Sequence, residues 1–438
     1  MQAGGGLGQS NPTRQGGVSE RRHGRVDTGV TRMKRHHMQA FCLRSLAASR
    51  LASTAVLPVL LLSLFLWPVH ARADDLTGRR VQVPYQPASS SGAAASSQTV
   101  EGQVLVEALD GGLLVEEDNG QLQLIPAGRR PEVQTLPEGP MATPAEVGRG
   151  LLAELPEGFQ LLTTRHYCIC FDTSRDYASW VGAVFERLRV AFDTYFGRDG
   201  LELTAPQRPL VVVIFADRRR YLEHAEPTLG TSSPNVIGYY NLMSNRVTTY
   251  DITGTDLLRG RVGGRQSVGQ AIAASPAASA LVSTLVHEAT HQLAFNTGLH
   301  QRLAPIPVWL SEGVAMYFET PDLRATSGWR GIGMVNRQRL AHWRQAHRRE
   351  LLSRILVDDA VFRDPKTALD AYAEAWGLAF FLLKTRREDS ADYLARLGRR
   401  GPLSDDSPEQ RRADFEAAFG SDVESLEPAL VRFLARLR

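Results

Sequence analysis

The stretch ALVSTLVHEATHQLAFNTG, residues 280–298, constrains the fold most, because it places two histidines and a glutamate inside an apolar helical run. Each buried polar atom that lacks a partner costs about 1–3 kcal/mol, so a helix bound for the core normally avoids such side chains. Ser275 as N-cap, Pro276 at the first helical position and Gly298 as the stop predict a single helix here. Its polar groups therefore need a partner.

The three polar residues form the pattern H-E-x-x-H. His287 and His291 are four residues apart and project from one face of the helix, with Glu288 beside them. In this geometry both imidazoles can bind one Zn²⁺, and the glutamate can take a proton from a water molecule. The alternative is a pair of core histidines whose nitrogens are satisfied by backbone carbonyls.

A third ligand is available in PVWLSEGVAMYFE, residues 307–319, which predicts a second apolar helix. Its Glu312 lies 21 residues after His291, and a lone carboxylate there again requires a compensating charge. Two histidines, one glutamate and a water complete a catalytic zinc site with an open fourth position. The sequence therefore predicts one Zn²⁺ per chain, bound by His287, His291 and Glu312.

HEATH and WLSEG together resemble the gluzincin zinc peptidases, whereas the metzincin continuation would need Gly and His at the positions of Ala294 and Thr297. With YASWVGAVFERLRVAFDTYF, GYYNLMSNRVTTYD and AYAEAWGLAFFLL, they look like a peptidase-MA-like family of secreted bacterial proteins, over about residues 160–385. The resemblance implies an α+β, zincin-like fold: a sheet above the H-E-x-x-H helix, helices below it and a cleft between. It also implies that Glu288 is the general base.

Two features depart from the gluzincin pattern. The G-A-M-E-N sequence that holds a substrate amino terminus has no counterpart, so exopeptidase specificity is unsupported. Met316 stands where many gluzincins carry a carboxylate that orients a zinc histidine. Glu319, seven residues after Glu312, could take that role or compete as third ligand, and we favour Glu312 as the ligand.

The oxyanion of amide hydrolysis needs a hydrogen-bond donor besides zinc. In gluzincins this donor is a Tyr or His well downstream of the third ligand; Tyr372 is the candidate, and His342 and His347 are the alternatives. Tyr372 also starts a stripe with Trp376 and Phe380 at i, i+4 and i+8, which is equally typical of a core face.

A hairpin is predicted over VIGYYNLMSNRVTTYD, residues 236–251. One of its strands could pair with an extended peptide, which is the usual way in which a protease binds main chain. An ordinary sheet edge is the alternative.

The leader, residues 1–73, predicts export. A basic segment precedes the uncharged run of residues 51–69, and an A-x-A site ending at Ala73 follows, as in a secretory signal peptide cleaved after Ala73. We therefore expect a secreted, periplasmic or cell-envelope protein without stable membrane insertion. An uncleaved anchor is the alternative, but two prolines in the run and the A-x-A site argue against it.

The positive charge of the chain belongs to this leader. It holds ten basic and two acidic residues, which leaves 50 − 10 = 40 basic and 47 − 2 = 45 acidic residues, a net charge of −5, for the rest. A nucleic-acid partner is therefore not expected.

Changes in residue pattern predict the domain organisation. A linker (74–98) precedes a small antiparallel all-β module (99–131) with DGG and DNG turns, and a second linker (132–157) leads to the zincin-like catalytic domain (158–398) and a C-terminal helical segment (399–438). Cys168 and Cys170 would point to the same face of one strand, too far apart and too parallel for an ordinary disulfide, and we expect buried thiols rather than a metal site.

These observations predict an exported zinc-dependent hydrolase, and the favoured interpretation is a peptidase acting on peptides or proteins. A non-catalytic envelope protein that binds zinc or peptide on the same fold is one alternative, and hydrolysis of a non-peptide amide is another. The sequence predicts no oligomeric state.

Overall fold

A computed structural model describes residues 76–85, 97–129, 132–198, 200–229, 236–254, 267–274, 276–320, 330–402, 404 and 406–438 of the 438-residue chain. The predicted signal peptide, most of the first linker and the predicted cap Ser275 lie outside the described residues. The described part is an α+β protein with two five-stranded sheets and twelve α-helices. No helix within it is long and apolar enough to cross a membrane.

The first sheet is the predicted β module, and it is larger than predicted. Its antiparallel strands are ordered β4-β3-β2-β1-β5 and span Arg80–Tyr85 (β1), Gln98–Glu107 (β2), Leu113–Glu117 (β3), Leu122–Ile125 (β4) and Gln134–Thr135 (β5). The prediction of residues 74–98 as a linker was thus wrong for β1. In RVQVPY every second residue is buried, and Val81, Val83 and Tyr85 belong to the separate core of the module.

The second sheet lies in the predicted catalytic domain and has the order β6-β7-β8-β10-β9. The central strands β7, β8 and β10 are parallel, and the outer strands β6 and β9 are antiparallel to their neighbours. Their bounds are Gln160–Thr163 (β6), Tyr167–Phe171 (β7), Leu210–Phe215 (β8), Gly238–Asn241 (β9) and Arg246–Tyr250 (β10). Strands β9 and β10 form the predicted hairpin, so β9 is an edge strand of this sheet.

The helices are Pro144–Glu154 (α1), Arg175–Gly197 (α2), Arg218–Leu229 (α3), Val268–Ala273 (α4), Pro276–Asn296 (α5), Val308–Phe318 (α6), Arg337–Ala346 (α7), Arg349–Val357 (α8), Ala368–Thr385 (α9), Arg387–Gly398 (α10), Pro408–Phe419 (α11) and Val423–Ala435 (α12). Helix α1 lies within residues 132–157, so the prediction of a linker there was wrong for the residues of this helix. A capping box of Thr143 and Glu146, with Pro144 at the first position, starts this helix.

Helix α5 carries H-E-x-x-H and lies between the sheet and the C-terminal helices. It packs against β9 and β10 on one side and against α6 on another, and α6 in turn packs on α9. The Gln292 side chain of α5 donates to the carbonyls of Val211 and Asn245, both at 2.9 Å, and so fixes the helix to two strands. Cys168 and Cys170 on β7 are fully buried free thiols, as predicted.

Candidate metal centre

Helices α5 and α6 bring three donor side chains together. The Nε2 atom of His287 lies 3.1 Å from Glu312 Oε2 and 3.1 Å from His291 Nε2, and His291 Nε2 lies 3.6 Å from Glu312 Oε1. All three residues are largely or fully buried. Three electron-pair donors that converge at such distances are suited to hold one metal ion, and the His287–His291–Glu312 cluster is able to do so.

The other ring nitrogen of His287 faces the second carboxylate of α6. Glu319 Oε2 lies 3.0 Å from His287 Nδ1, and Asn336, the N-cap of α7, and Arg339 within α7 donate to Glu319 Oε1 at 2.8 and 2.9 Å. An Nδ1–H that donates to Glu319 leaves Nε2 with its lone pair toward Glu312 and His291. Glu312 rather than Glu319 therefore belongs to the cluster that could hold an ion, and Glu319 lies at the opposite nitrogen of the His287 ring.

The carboxylates also control the charge of the imidazole. Burial lowers the pKa of His287, but the hydrogen bonds that its ring donates to Glu312 and Glu319 outweigh burial and raise that pKa to about 10. Burial raises the pKa of Glu319, but the contacts with His287 and Arg339 outweigh burial and lower that pKa to about 2. The negative charge that favours a proton on this imidazole equally favours a metal cation.

Glu288 points into the same site from the neighbouring position of α5. Its Oε2 accepts a hydrogen bond of 2.7 Å from the backbone N–H of Tyr240 on the edge strand β9. Burial raises the pKa of the Glu288 carboxyl, against the opposing charges of His287 and His291. Glu288 is thus a half-buried carboxylate, one oxygen of which is held by a strand.

A cavity of about 640 Å³ gives access to these groups. Its walls come from β9 and the following turn, from α5 and α6, and from α7 and α9. Tyr372 and His342 line this cavity, whereas His347 is not among its lining residues. The side chain of His342 lies 2.8 Å from Asp370 Oδ1. The predicted oxyanion donor Tyr372 therefore shares the cavity with all three donors of the cluster and Glu288.

His347 has a different environment. Its Nδ1 lies 2.8 Å from Glu374 Oε1, and its Nε2 lies 3.3 Å from Glu427 Oε1. Glu374 also accepts from the indole of Trp343, and it is fully buried. The side chain thus joins α7, α9 and α12.

Four groups that contribute to the site were not predicted from the sequence. These are the Ser311 hydroxyl, 3.3 Å from His291 Nδ1, the backbone N–H of Tyr240, and the Asn336 and Arg339 side chains. Ser311 directly precedes Glu312 in WLSEG, and that adjacency was a usable signal. The other three reach the site from distant parts of the chain, and no local pattern connects them with α5 or α6.

Comparison with known proteins places the site within one matched segment. No curated protein matches the chain. Residues 281–404 are similar to the family model described as a protein of unknown function (DUF1570). This segment runs from within α5 to beyond α10 and includes every candidate ligand.

Proposed function

We propose that this chain is an exported zinc-dependent peptidase of the gluzincin type, with one Zn²⁺ bound by His287, His291 and Glu312. The observation that carries the proposal is the convergence of these donors with Glu288 in one cavity. A core histidine pair needs neither a carboxylate beside its two Nε2 atoms nor an adjacent cavity.

The donor set and spacing support zinc in particular. Tetrahedral Zn²⁺ with bonds of about 2.0–2.2 Å holds neighbouring donor atoms about 3.3–3.6 Å apart. The three distances in the cluster are 3.1, 3.1 and 3.6 Å, so small side-chain movements would meet this requirement. Two imidazoles and one carboxylate, with a second carboxylate on the ring Nδ1, form a set typical of catalytic zinc.

The remaining groups support hydrolysis. When bound, Zn²⁺ polarises a carbonyl group and lowers the pKa of a water molecule. Glu288 accepts the proton of the attacking water and passes it to the leaving nitrogen, while the Tyr240 amide keeps its carboxylate in place. Burial, followed by the charges of Glu312 and Glu288, raises the pKa of Tyr372 well above its usual value, so its hydroxyl stays protonated and donates to the oxyanion.

An extended peptide is the substrate that the cavity favours. Gly238, Tyr239, Tyr240 and Asn241 of β9 all line it, and within the described residues β9 pairs with β10 along one side only. The other side can offer backbone groups to a peptide lying over the donors of the cluster. The same arrangement, with a sheet bearing an antiparallel edge strand against the H-E-x-x-H helix, supports a zincin-like fold.

Metal content is the first test. Elemental mass spectrometry on the purified protein should give one zinc per chain, lost in His287→Ala and Glu312→Ala but retained, with weaker affinity, in Glu319→Ala. A peptide library incubated with the wild type and with Glu312→Ala should be cleaved by the wild type alone.

Other outcomes decide against parts of the proposal. No zinc in the reconstituted wild type would mean that the histidines are core residues. Zinc without cleavage would favour a non-catalytic zinc or peptide binder on the same fold. Amino-terminal sequencing of protein recovered outside the cytoplasm tests export, with Asp74 expected as the first residue.

A further inference from the structure

The β module contacts the part of the catalytic domain that forms one wall of the cavity. The turn between β9 and β10 contains Leu242 and Met243, which both line the cavity. The backbone N–H of Leu122, at the start of β4, donates to the Met243 carbonyl at 2.7 Å. A strand of the module is therefore hydrogen-bonded to a cavity wall.

One buried arginine connects the module, this turn and the loop after α5. Arg302 Nη1 donates to Glu116 Oε1 at 2.7 Å and to the Gly120 carbonyl at 3.0 Å, both in the module. Its Nη2 donates to the Leu242 carbonyl in the turn. Glu116 also pairs with Arg208, which precedes β8, at 3.2 Å. A buried, shared ion pair of this kind fixes the two parts in one relative position more firmly than an exposed contact does.

A second series of contacts runs from the module to Glu288. Gly120 packs so closely on Asn245 that a Cβ at this glycine would lie 2.7 Å from Asn245 Nδ2 and 3.1 Å from its Cβ. Asn245 is buried with a positive φ of 57°, and its Oδ1 accepts from the Tyr240 hydroxyl at 2.7 Å. The Tyr240 amide in turn donates to Glu288 Oε2.

Asn245 has little freedom to absorb a displacement. Its side-chain amide forms a double hydrogen bond with the amide of Asn296 at the end of α5, at 2.7 and 2.8 Å. Its carbonyl accepts from Gln292. Pressure on Asn245 is therefore transmitted to β9 and to the end of the H-E-x-x-H helix rather than to solvent.

We propose that the β module is a positioning element of the cavity: its Glu116 and Gly120, through Arg302 and Asn245, hold the β9–β10 turn and thereby the Tyr240 amide against Glu288. The part of this inference that concerns catalysis rests on the proposed peptidase function, in which Glu288 is the base. Displacements of about 1 Å at such groups can cost about 100-fold in rate.

Two glycine variants separate this role from a general effect on stability. Gly120→Ala adds a methyl group that pushes on Asn245, whereas Gly78→Ala adds one in the same module with nothing within 4 Å. The φ angles are +81° and +83°, so backbone strain is equal in the two variants. Glu116→Gln, which weakens the Arg302 pair at constant shape, is the second variant in case Gly120→Ala does not fold.

Hydrogen exchange measured by mass spectrometry on the full chain reads the coupling without any substrate. We expect amides of residues 238–250 to exchange about tenfold faster in Gly120→Ala and several-fold faster in Glu116→Gln, with Gly78→Ala equal to wild type. Zinc content should be unchanged in all three variants. Peptide cleavage should fall about 10- to 100-fold in Gly120→Ala and stay at the wild-type rate in Gly78→Ala.

Equal exchange of residues 238–250 in Gly120→Ala and Gly78→Ala would overturn the proposal, as would slowed cleavage in both. If the wild type cleaves nothing, the peptidase function fails, and faster exchange confined to Gly120→Ala and Glu116→Gln still supports the mechanical coupling. The two failures are therefore distinguishable.

Discussion

At the scale of single residues, the environment of each carboxylate distinguishes its role. Glu312 and Glu319 lie on one helix and both contact His287, but they face different nitrogens of its ring. Glu319 is also held by Arg339, and a carboxylate already paired with a guanidinium is a poorer donor to a cation. No arginine among the described residues pairs with Glu288, and its raised pKa suits a proton acceptor.

Substitution of the base should separate metal binding from catalysis. Glu288→Gln keeps the shape of the side chain and the acceptor for the Tyr240 amide but removes the proton acceptor, so we expect one zinc per chain and a loss of cleavage of about 100- to 10,000-fold. Elemental analysis and peptide cleavage on the same sample measure both. Glu350→Gln, at an exposed glutamate, is the control. Cleavage by Glu288→Gln at the wild-type rate would refute the mechanism.

The role of Tyr372 is testable because its hydroxyl can be removed while the contact of its ring is kept. The ring contacts Phe362 edge to face, with centroids 5.3 Å apart, and that contact survives in Tyr372→Phe. If the hydroxyl stabilises the oxyanion, kcat should fall about 100-fold while KM and Tm stay close to wild type. A core role alone predicts an unchanged kcat. A large loss of kcat in His342→Gln instead would assign the donor to the alternative residue.

The residues of the site were predictable to the extent that they lie on one helix face or in one short motif. The spacing of four between His287 and His291 fixes their common face, and WLSEG supplies the carboxylate. The Tyr240 amide and Arg339 were not predictable, because neither side-chain type nor spacing reports which backbone group or arginine reaches a helix from far along the chain. Tertiary packing alone decides these contacts.

At the scale of elements, the C-terminal helices support the cavity from behind. Helix α9 carries Tyr372 on the cavity side and, two residues later, the buried Glu374. Glu374 accepts hydrogen bonds from His347, from the Arg348 backbone and from Trp343. The junction of α7 and α8 is therefore attached to α9 by one carboxylate, and the cavity wall depends on it.

This junction should make stability depend on pH. Burial lowers the pKa of His347, but Glu374 and Glu427 outweigh burial and raise the pKa above its usual value of about 6.5. A raised folded-state pKa gives stability that is fully present below about 6.5 and is lost as the pH rises through the folded-state value. The Tm difference between wild type and His347→Gln should therefore be about 1–2 °C at pH 6 and smaller at pH 9. A Tm difference that grows with pH would contradict this prediction. Arg349 pairs with Glu427, so replacing Arg349 tests how much Glu427 contributes to the raised pKa of His347.

At the scale of the whole molecule, the predicted α+β class is confirmed, and the errors lie at the ends of the β module and in the second linker, which contains α1. Residues 99–125 alternate clearly and carry two glycine turns, both with positive φ at Gly111 and Gly120. Strand β1 has only six residues and is separated from the rest of the module by a Ser/Ala-rich segment, and β5 has only two residues. Neither strand is therefore recognisable from its hydrophobic periodicity alone. Both strands exist because β1 pairs with β2 on one side and β5 on the other.

Metal removal is the prediction that involves the whole molecule. The ligands come from α5 and α6, and α7 holds Glu319 through Asn336 and Arg339, so a bound ion would tie three helices together. An ion at 1,000 times its Kd adds about 4 kcal/mol to the free energy of unfolding, which is about 8 °C in Tm for a domain of about 240 residues. We expect a chelator to lower the Tm of wild type by about that amount and added zinc to restore it. Glu312→Ala should start near the chelated Tm and respond to neither reagent, because the ion no longer has its third ligand. An equal response of both proteins to the chelator would place the stabilising metal elsewhere and separate the His287–His291–Glu312 cluster from the stability of the fold.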